Sequence, residues 1–169
     1  MAEGLVVENT TVVTHEGKYL TFLLGKEVYG ISIMKVREIV GIAGMEIHHV
    51  PNTPSYAKGV MKLRDKVIPV VSMRRRFIME EIEYSERTCI VVVDISLDQG
   101  NLLIGVVVDS VSEVMSVTRQ DIEPPPRFGT KLDTDYILGM AKVKGEVIIL
   151  LDIDKVISAE ELKVLETVS

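Results

Sequence analysis

Residues 29–40 read YGISIMKVREIV, and residues 104–115 read IGVVVDSVSEVM. Set one above the other, Gly30 meets Gly105, Val36 meets Val111 and Glu38 meets Glu113. Ile31, Ile33 and Ile39 meet Val106, Val108 and Val114. A second pair of blocks follows in the same order, GVMKLRDKVIPVVSMRRRF at 59–77 and GMAKVKGEVIILLDIDKVI at 139–157. Gly59/Gly139, Lys62/Lys142, Val67/Val147 and Ile68/Ile148 are identical there. Matched glycines and matched turns are harder to obtain by accident than matched valines, so the chain reads as one unit written twice. Nothing else constrains the fold as much. Each copy is too small for a robust core of its own, and the two gain by packing on each other.

Each copy is written in short apolar runs rich in Val and Ile, which suit a pleated surface. KYLTFLL (18–24) and VYGISI (28–33) flank the polar turn Gly25-Lys26-Glu27. VMKL (60–63) and KVIPVVS (66–72) flank Arg64-Asp65, TCIVVVDI (88–95) and NLLIGVVVD (101–109) flank 96–100, and GMAKV (139–143) and EVIILLDI (146–153) flank Lys144-Gly145. These are four hairpins. Asp65 stands where the second copy has Gly145, and Asp is among the few residues that tolerate a left-handed turn. Short helical turns are expected after Ile33 and at 73–77. A terminal helix is expected after Ser158, which forms a capping box with Glu161. A unit of four or five short strands buries its inner face by curling into a small barrel. The expected architecture is mainly all-β: an N-terminal tail (1–17), a first barrel (18–85), a second barrel (86–157) and a C-terminal helix (158–169). A third apolar layer lies between the barrels.

Little points to chemistry. The charge balance is 19 Lys+Arg against 25 Asp+Glu, a net −6, which disfavours binding to nucleic-acid backbones. Cys89 is the single cysteine, so no disulfide forms within the chain, in keeping with a reducing compartment. The first residues lack a basic segment followed by an apolar one, so no signal peptide is expected. His48 and His49 are neighbours, which a strand would point to opposite faces, a poor arrangement for one metal. Asp94, Asp109, Asp152 and Asp154 lie at or near strand ends and read as strand terminators. Arg74-Arg75-Arg76 reads as a solvated basic run. No phosphate-binding glycine motif is present. No catalytic residue, metal or cofactor is therefore expected, and a binding role is favoured over a reaction.

The succession YLTFLLGKEVYGISIMKVREIVG, VPNTPSYAKGVMKLRDKVIPVVSMRRRF, LIGVVVDSVSEVM and ILGMAKVKGEVIILLDIDKVI resembles chemotaxis coupling proteins of the CheW type, over about 18–157. The resemblance implies two SH3-like five-stranded barrels around a shared core. It implies a non-catalytic cytoplasmic adaptor in membrane-associated receptor arrays, joining the cytoplasmic tips of methyl-accepting chemoreceptors to the regulatory domain of the histidine kinase CheA. Membrane would be met only through the receptors, and nucleic acid not at all. A related scaffold for a non-chemotaxis kinase pathway, such as pilus motility, is the alternative. By the same resemblance Val36, Glu38 and Ile39 lie on the coupling surface, Arg64 matches the arginine of an N-L-R-G turn, and Gly105, Val111 and Val114 match second-barrel positions on the same groove. Here that turn reads Lys62-Leu63-Arg64-Asp65, a departure at its first and last residues. If 36–40 run extended, Val36, Glu38 and Val40 share one face. Glu38 must then reach solvent, meet a cation, or await one from a partner.

Overall fold

A computed structural model of the chain describes residues 15–97, 100–124 and 135–157. The expected C-terminal helix at 158–169 lies outside them, as does most of the tail. The first copy forms β1 (Gly17–Leu24), β2 (Glu27–Ser32), a 3-10 turn (Ile33–Lys35), β3 (Val36–Gly41), β4 (Ile47–His48), β5 (Ala57–Leu63), β6 (Lys66–Ser72) and the one-turn helix α1 (Met73–Arg76). The second forms β7 (Cys89–Leu97), β8 (Gly100–Val108), β9 (Ser110–Val117), a 3-10 turn (Arg119–Asp121), β10 (Ile122–Glu123), β11 (Ile137–Val143), β12 (Glu146–Leu151) and the one-turn helix α2 (Ile153–Val156). Strand for strand the copies agree, and all four expected hairpins form. Ser72 and Asp152 cap the two helices in the same way, each side chain accepting a backbone N–H of the first turn.

Hydrogen bonding divides the strands differently from the sequence. One sheet runs β10-β11-β12-β2-β1-β9 and the other β3-β7-β8-β6-β5-β4. Each sheet takes its hairpin from one copy and its remaining strands from the other. β3 leaves its own copy to pair antiparallel with β7, and β9 leaves its own to pair with β1. β6 then runs parallel to β8, and β12 parallel to β2. The expected boundary at 85/86 between two contiguous subdomains is thus corrected: the copies are clasped, and the division falls within each, between β2 and β3 and between β8 and β9. The cause is the connection itself. Only Ile33–Lys35 separates β2 from β3, and only Asp109 separates β8 from β9. Links this short cannot carry the third strand across the hairpin to its far edge at β1 or β7, and the near edges of β2 and β8 are taken by β12 and β6. Five strands in each sheet are long, and the sixth is the two-residue β4 or β10.

Burial explains why the runs are apolar without strict alternation. Val91, Val93 and Ile95 of β7 face a large central cluster, whereas Ile90 and Val92 face a second cluster with Met61, Ile68 and Val70. β1 does likewise, with Leu20, Phe22 and Leu24 in the central cluster and Tyr19 in a third with Met115, Ala141, Ile148 and Leu150. The second and third clusters each draw on strands of one sheet, which requires that sheet to curl around its own interior. The central cluster lies between the two. Strands buried on both faces read as continuous hydrophobic runs. Each fully buried Leu, Ile or Phe contributes about 1.5–3 kcal/mol, and the central cluster draws its members from both copies.

Both crossings are pinned by charge. Asp109 accepts two hydrogen bonds from Arg74, Nε to Oδ1 at 2.8 Å and Nη2 to Oδ2 at 2.7 Å. It also accepts the Gly25 N–H at 2.8 Å. Lys35 Nζ stands 2.7 Å from Asp154 Oδ2, and the Ser96 N–H donates to Asp154 Oδ1 at 2.9 Å. Burial acts to raise the Asp109 carboxyl, but the hydrogen bonds and charge of Arg74, with the Gly25 N–H, outweigh it and hold the group below the ordinary range. A carboxyl lowered in the folded state binds its proton less readily there than in the unfolded chain, so its contribution is full above the ordinary carboxylate value of about 4 and is lost as pH falls below it. Asp109→Asn is therefore expected to flatten the acid limb of thermal stability between about pH 5 and 2 while leaving the neutral shape of the curve. A wild-type acid limb in the variant, by calorimetry across that range, would contradict the assignment.

Candidate functional site

β3 carries the alternation expected of it: Val36, Glu38 and Val40 are half-buried, and Arg37, Ile39 and Gly41 are exposed. The register of β3 on β7 slips between Val36 and Glu38. A bulge of this kind re-aims the side chain beyond it. The register of β9 on β1 slips at the same place in the second copy, between the partners of Leu20 and Phe22. The bulge is thus part of the duplicated unit.

Glu38 meets Arg64. Arg64 Nη1 donates to Oε1 at 2.6 Å and Nη2 to Oε2 at 3.2 Å, a two-pronged pair. The hydrogen bonds to Glu38, and then its charge, raise the guanidinium further above neutrality. β3 is the first strand of its sheet and the β5–β6 hairpin lies at the far end. Contact between them follows only if the sheet rolls up, so this pair also marks the closure of the barrel. Of the three fates open to Glu38, the structure selects the cation. The Arg64 side chain is 71 % exposed and that of Glu38 26 %, so the pair sits at the surface within a partner's reach. One expectation is corrected: the left-handed residue of the turn is Arg64 (φ 57), and Asp65 is not. Its counterpart Lys144 (φ 51) is left-handed too, followed by Gly145 (φ 81). The shared backbone puts the first turn residue in the left-handed region in both copies, and from there Arg64 reaches Glu38 with its two-pronged bond.

Beside the pair lies a second one absent from the sequence reading. Arg37 Nε donates to Asp94 Oδ2 at 3.1 Å, and Arg37 Nη2 bonds the same oxygen. Asp94 is buried in β7, and its Oδ1 is a buried acceptor with no hydrogen-bond partner among the described residues. The signal was present in the sequence: a carboxylate inside the apolar run VVVDIS is costly unless paired. Both pairs, with Leu63, Asn101 and Leu103, line an open depression of about 490 Å³.

The remaining expected site residues are distributed. Val36 is half-buried against the central cluster, and Ile39 is 42 % exposed on the outer face of β3. Val111 and Val114 lie on β9, in the other sheet, opposite Phe22 and Leu20. Val111 packs on the central cluster and Val114 is 48 % exposed. Ile39 and Val114 are the same position of the two copies, so one apolar residue is shown at the same place on each sheet. Gly105 is interior: a Cβ there would meet Ile90 Cγ2 at 2.7 Å and Met61 Cε at 3.3 Å, so the geometry assigns it to packing.

The basic run is spent inside the molecule. Arg74 holds Asp109, and Arg75 stands 2.6 Å from Glu81. Arg76 donates to the Val156 carbonyl and lies over the rings of Tyr56 and Tyr136. Asp109 and Asp154 pin the crossings and Asp152 caps α2, so these carboxylates have structural partners instead of merely ending strands. Among the described residues no group of three or more His, Cys, Asp or Glu side chains is placed to hold a metal ion. No helix among them is long and apolar enough to cross a membrane. Charge pairs at a surface depression with apolar residues beside them suit recognition of another macromolecule.

Residues 18–161 match the model of the CheW-like domain. The chain is 38% identical over 152 residues to Chemotaxis protein CheW of Klebsiella aerogenes, covering 90% of this chain and 88% of that protein. It is 32% identical over 146 residues to Chemotaxis protein CheW of Treponema pallidum, covering 85% and 84%. It is 30% identical over 144 residues to Protein FrzA of Myxococcus xanthus, covering 84% and 86%. The crystal structure of the scaffolding protein TtCheW from Thermoanaerobacter tengcongensis superposes with a TM-score of 0.73 at 33% identity, covering 86% of this chain and 95% of that one.

Proposed function

The chain belongs to the CheW-like domain family, and from that premise we propose that it is a non-catalytic chemotaxis scaffold that couples methyl-accepting chemoreceptors to the histidine kinase CheA. The relatives named for chemotaxis and the solved scaffolding protein support the scaffold reading. The observation that carries the coupling reading is the exposed Glu38–Arg64 pair beside the apolar Ile39. A receptor's helical tip lays apolar residues against β3, and the charge pair sets its register. Val36 holds β3 on the core beneath that contact. Val111 does the same for β9 on the second sheet, where Val114 stands exposed as Ile39 does on the first, and Gly105 lets β8 pack closely on Ile90 and Met61 inside its own sheet's barrel. The regulatory domain of CheA takes another face of the barrels. The scaffold works in the cytoplasm, reaching the membrane only through the receptors it joins.

Mixing the purified chain with receptor-bearing membranes and CheA is the direct test. The expected result is kinase autophosphorylation well above that of kinase and membranes without the chain. No stimulation, with the chain folded by circular dichroism, would remove the coupling reading. The match to Protein FrzA favours a second reading, the same scaffold serving a kinase pathway outside chemotaxis. That reading gains if the chain captures a CheW-binding kinase but chemoreceptor membranes add nothing.

A further inference from the structure

We infer that the ion pairs at the two crossings are a polarity code, which decides what kind of half-fold each half of this chain will clasp: the first copy accepts a half of opposite polarity, and a second molecule's first copy is refused.

Burial alone does not make that choice. The copies present the same strands in the same order, with the same bulge where β3 and β9 cross and the same parallel contacts of β6 and β12. An apolar hairpin such as β1–β2 could accept the third strand of either kind. The charges differ. Arg74 and Asp154 are equivalent positions, 80 residues apart, one in α1 and one in α2. Gly25 and Ser96 are equivalent too, each the residue after the hairpin position that faces Glu27 or Leu102. Lys35 and Asp109 occupy the same link between second and third strands, one position apart in the alignment. At one crossing the helix brings the cation and the link the carboxylate, Arg74 with Asp109. At the other the helix brings the carboxylate and the link the cation, Asp154 with Lys35. In each case the carboxylate also takes the backbone N–H of Gly25 or Ser96.

The polarity is reversed between two sites that are otherwise alike. Were a first copy to clasp another first copy, Lys35 of one would face Arg74 of the other, with the Gly25 N–H pointing at the same spot and no carboxylate between them. Were two second copies to clasp, Asp109 would face Asp154. The side chains are 15 and 18 % exposed at one crossing and 27 and 29 % at the other, where solvent screening is reduced. Like charges brought together there discriminate against the wrong partner, which is how specific interfaces reject near-identical ones. A duplicated fold needs such a device, because duplication makes every wrong pairing a near copy of the right one. The inference is independent of what the scaffold couples.

The test is refolding of the full chain from denaturant at high protein concentration, read by size-exclusion chromatography with light scattering. The double variant Lys35→Asp/Asp154→Lys keeps an opposite-charge pair at each crossing but makes each copy self-complementary. Its melting temperature is expected near that of the wild type, while the fraction refolding into dimers and larger species rises by about tenfold or more, since each wrong clasp so relieved holds two like-charge contacts, one at each crossing. Adding Arg74→Asp/Asp109→Arg restores the code with all signs inverted, and the larger species are expected to return to the wild-type level. The neutral variant Lys35→Gln/Asp154→Asn guards against a swap that fails to fold, and a smaller rise is expected from it. A wild-type distribution in both the double and the neutral variants overturns the inference. So does a fourfold variant that stays as associated as the double.

Discussion

Glu38→Lys is expected to leave the melting temperature within a few degrees of the wild type and to cut receptor-dependent kinase stimulation by about tenfold or more. The small effect on stability follows from exposure: Arg64 is 71 % exposed, and surface pairs contribute little to folding. The large effect on coupling follows from position. Glu38 sits beyond the β3 bulge, next to exposed Ile39, and a lysine there faces Arg64 with a like charge. Arg64 loses its two-pronged bond, and its side chain no longer has a fixed place on the surface. The exchange Glu38→Arg/Arg64→Glu separates two causes. It rebuilds a pair inside the chain with opposite polarity. If the pair serves only to hold the turn, the exchange restores stimulation. If a partner reads the polarity, as proposed, stimulation stays low although the pair is rebuilt. Wild-type stimulation by Glu38→Lys alone, at matched folding, would remove Glu38 from the coupling surface altogether.

The fold was legible where information is local. Hairpins announce themselves by Val-rich runs around Arg64-Asp65 or Lys144-Gly145, and duplication announced that whatever one copy does, the other does too. The clasp was not legible, because β3 pairs as well with β7 as with β1 as far as its own residues say. The link Ile33–Lys35 is too short to reach the far edge of β1, and the near edge of β2 is closed only by β12, more than a hundred residues away in sequence. The same limit hid the ion pairs. Glu38 and Arg64 stood out individually by resemblance, but lie 26 residues apart and at opposite ends of a sheet that first has to roll up. Asp109 and Arg74, 35 residues apart, looked like a strand terminator and one member of a solvated run. Each had its charge satisfied by the other across the clasp, which no window along the sequence contains. At Gly105 the sequence alone did not separate two reasons for a glycine: resemblance pointed to a groove, and the contact an added Cβ would make with Ile90 supplies a packing reason as well.

Gly59→Ala is expected to destabilise the fold by about 3 kcal/mol or more, lowering the melting temperature by about 6–12 °C for a chain of this size. Gly59 lies in β5 with φ 137, a region L side chains avoid. An added Cβ would stand 2.0 Å from the His48 carbonyl oxygen and 2.7 Å from its carbon. Those are backbone atoms of β4, which pairs with β5 through His48 and Val60. No rotamer change relieves such a clash, so β4 must separate from β5 or β5 must move, and β5 leads directly into the turn that carries Arg64. The second copy supplies the graded control. Gly139 occupies the equivalent position, where a Cβ would meet Ile122 Cγ2 at 2.7 Å and the Glu123 carbonyl oxygen at 2.8 Å, without the unusual φ. The Ile122 side chain can swing away, the backbone approach to Glu123 at 2.8 Å is less severe than that to His48 at 2.0 Å, and the φ is ordinary, so Gly139→Ala should cost less than Gly59→Ala. Gly41→Ala, with nothing within 4 Å and an ordinary backbone, should change the melting temperature least. The order Gly59, Gly139, Gly41 is the content of the prediction. Equal midpoints for the first and last variants would mean that β4 does not approach β5 as closely as the geometry states, and with it that the barrel carrying Glu38 and Arg64 is not closed in the way described.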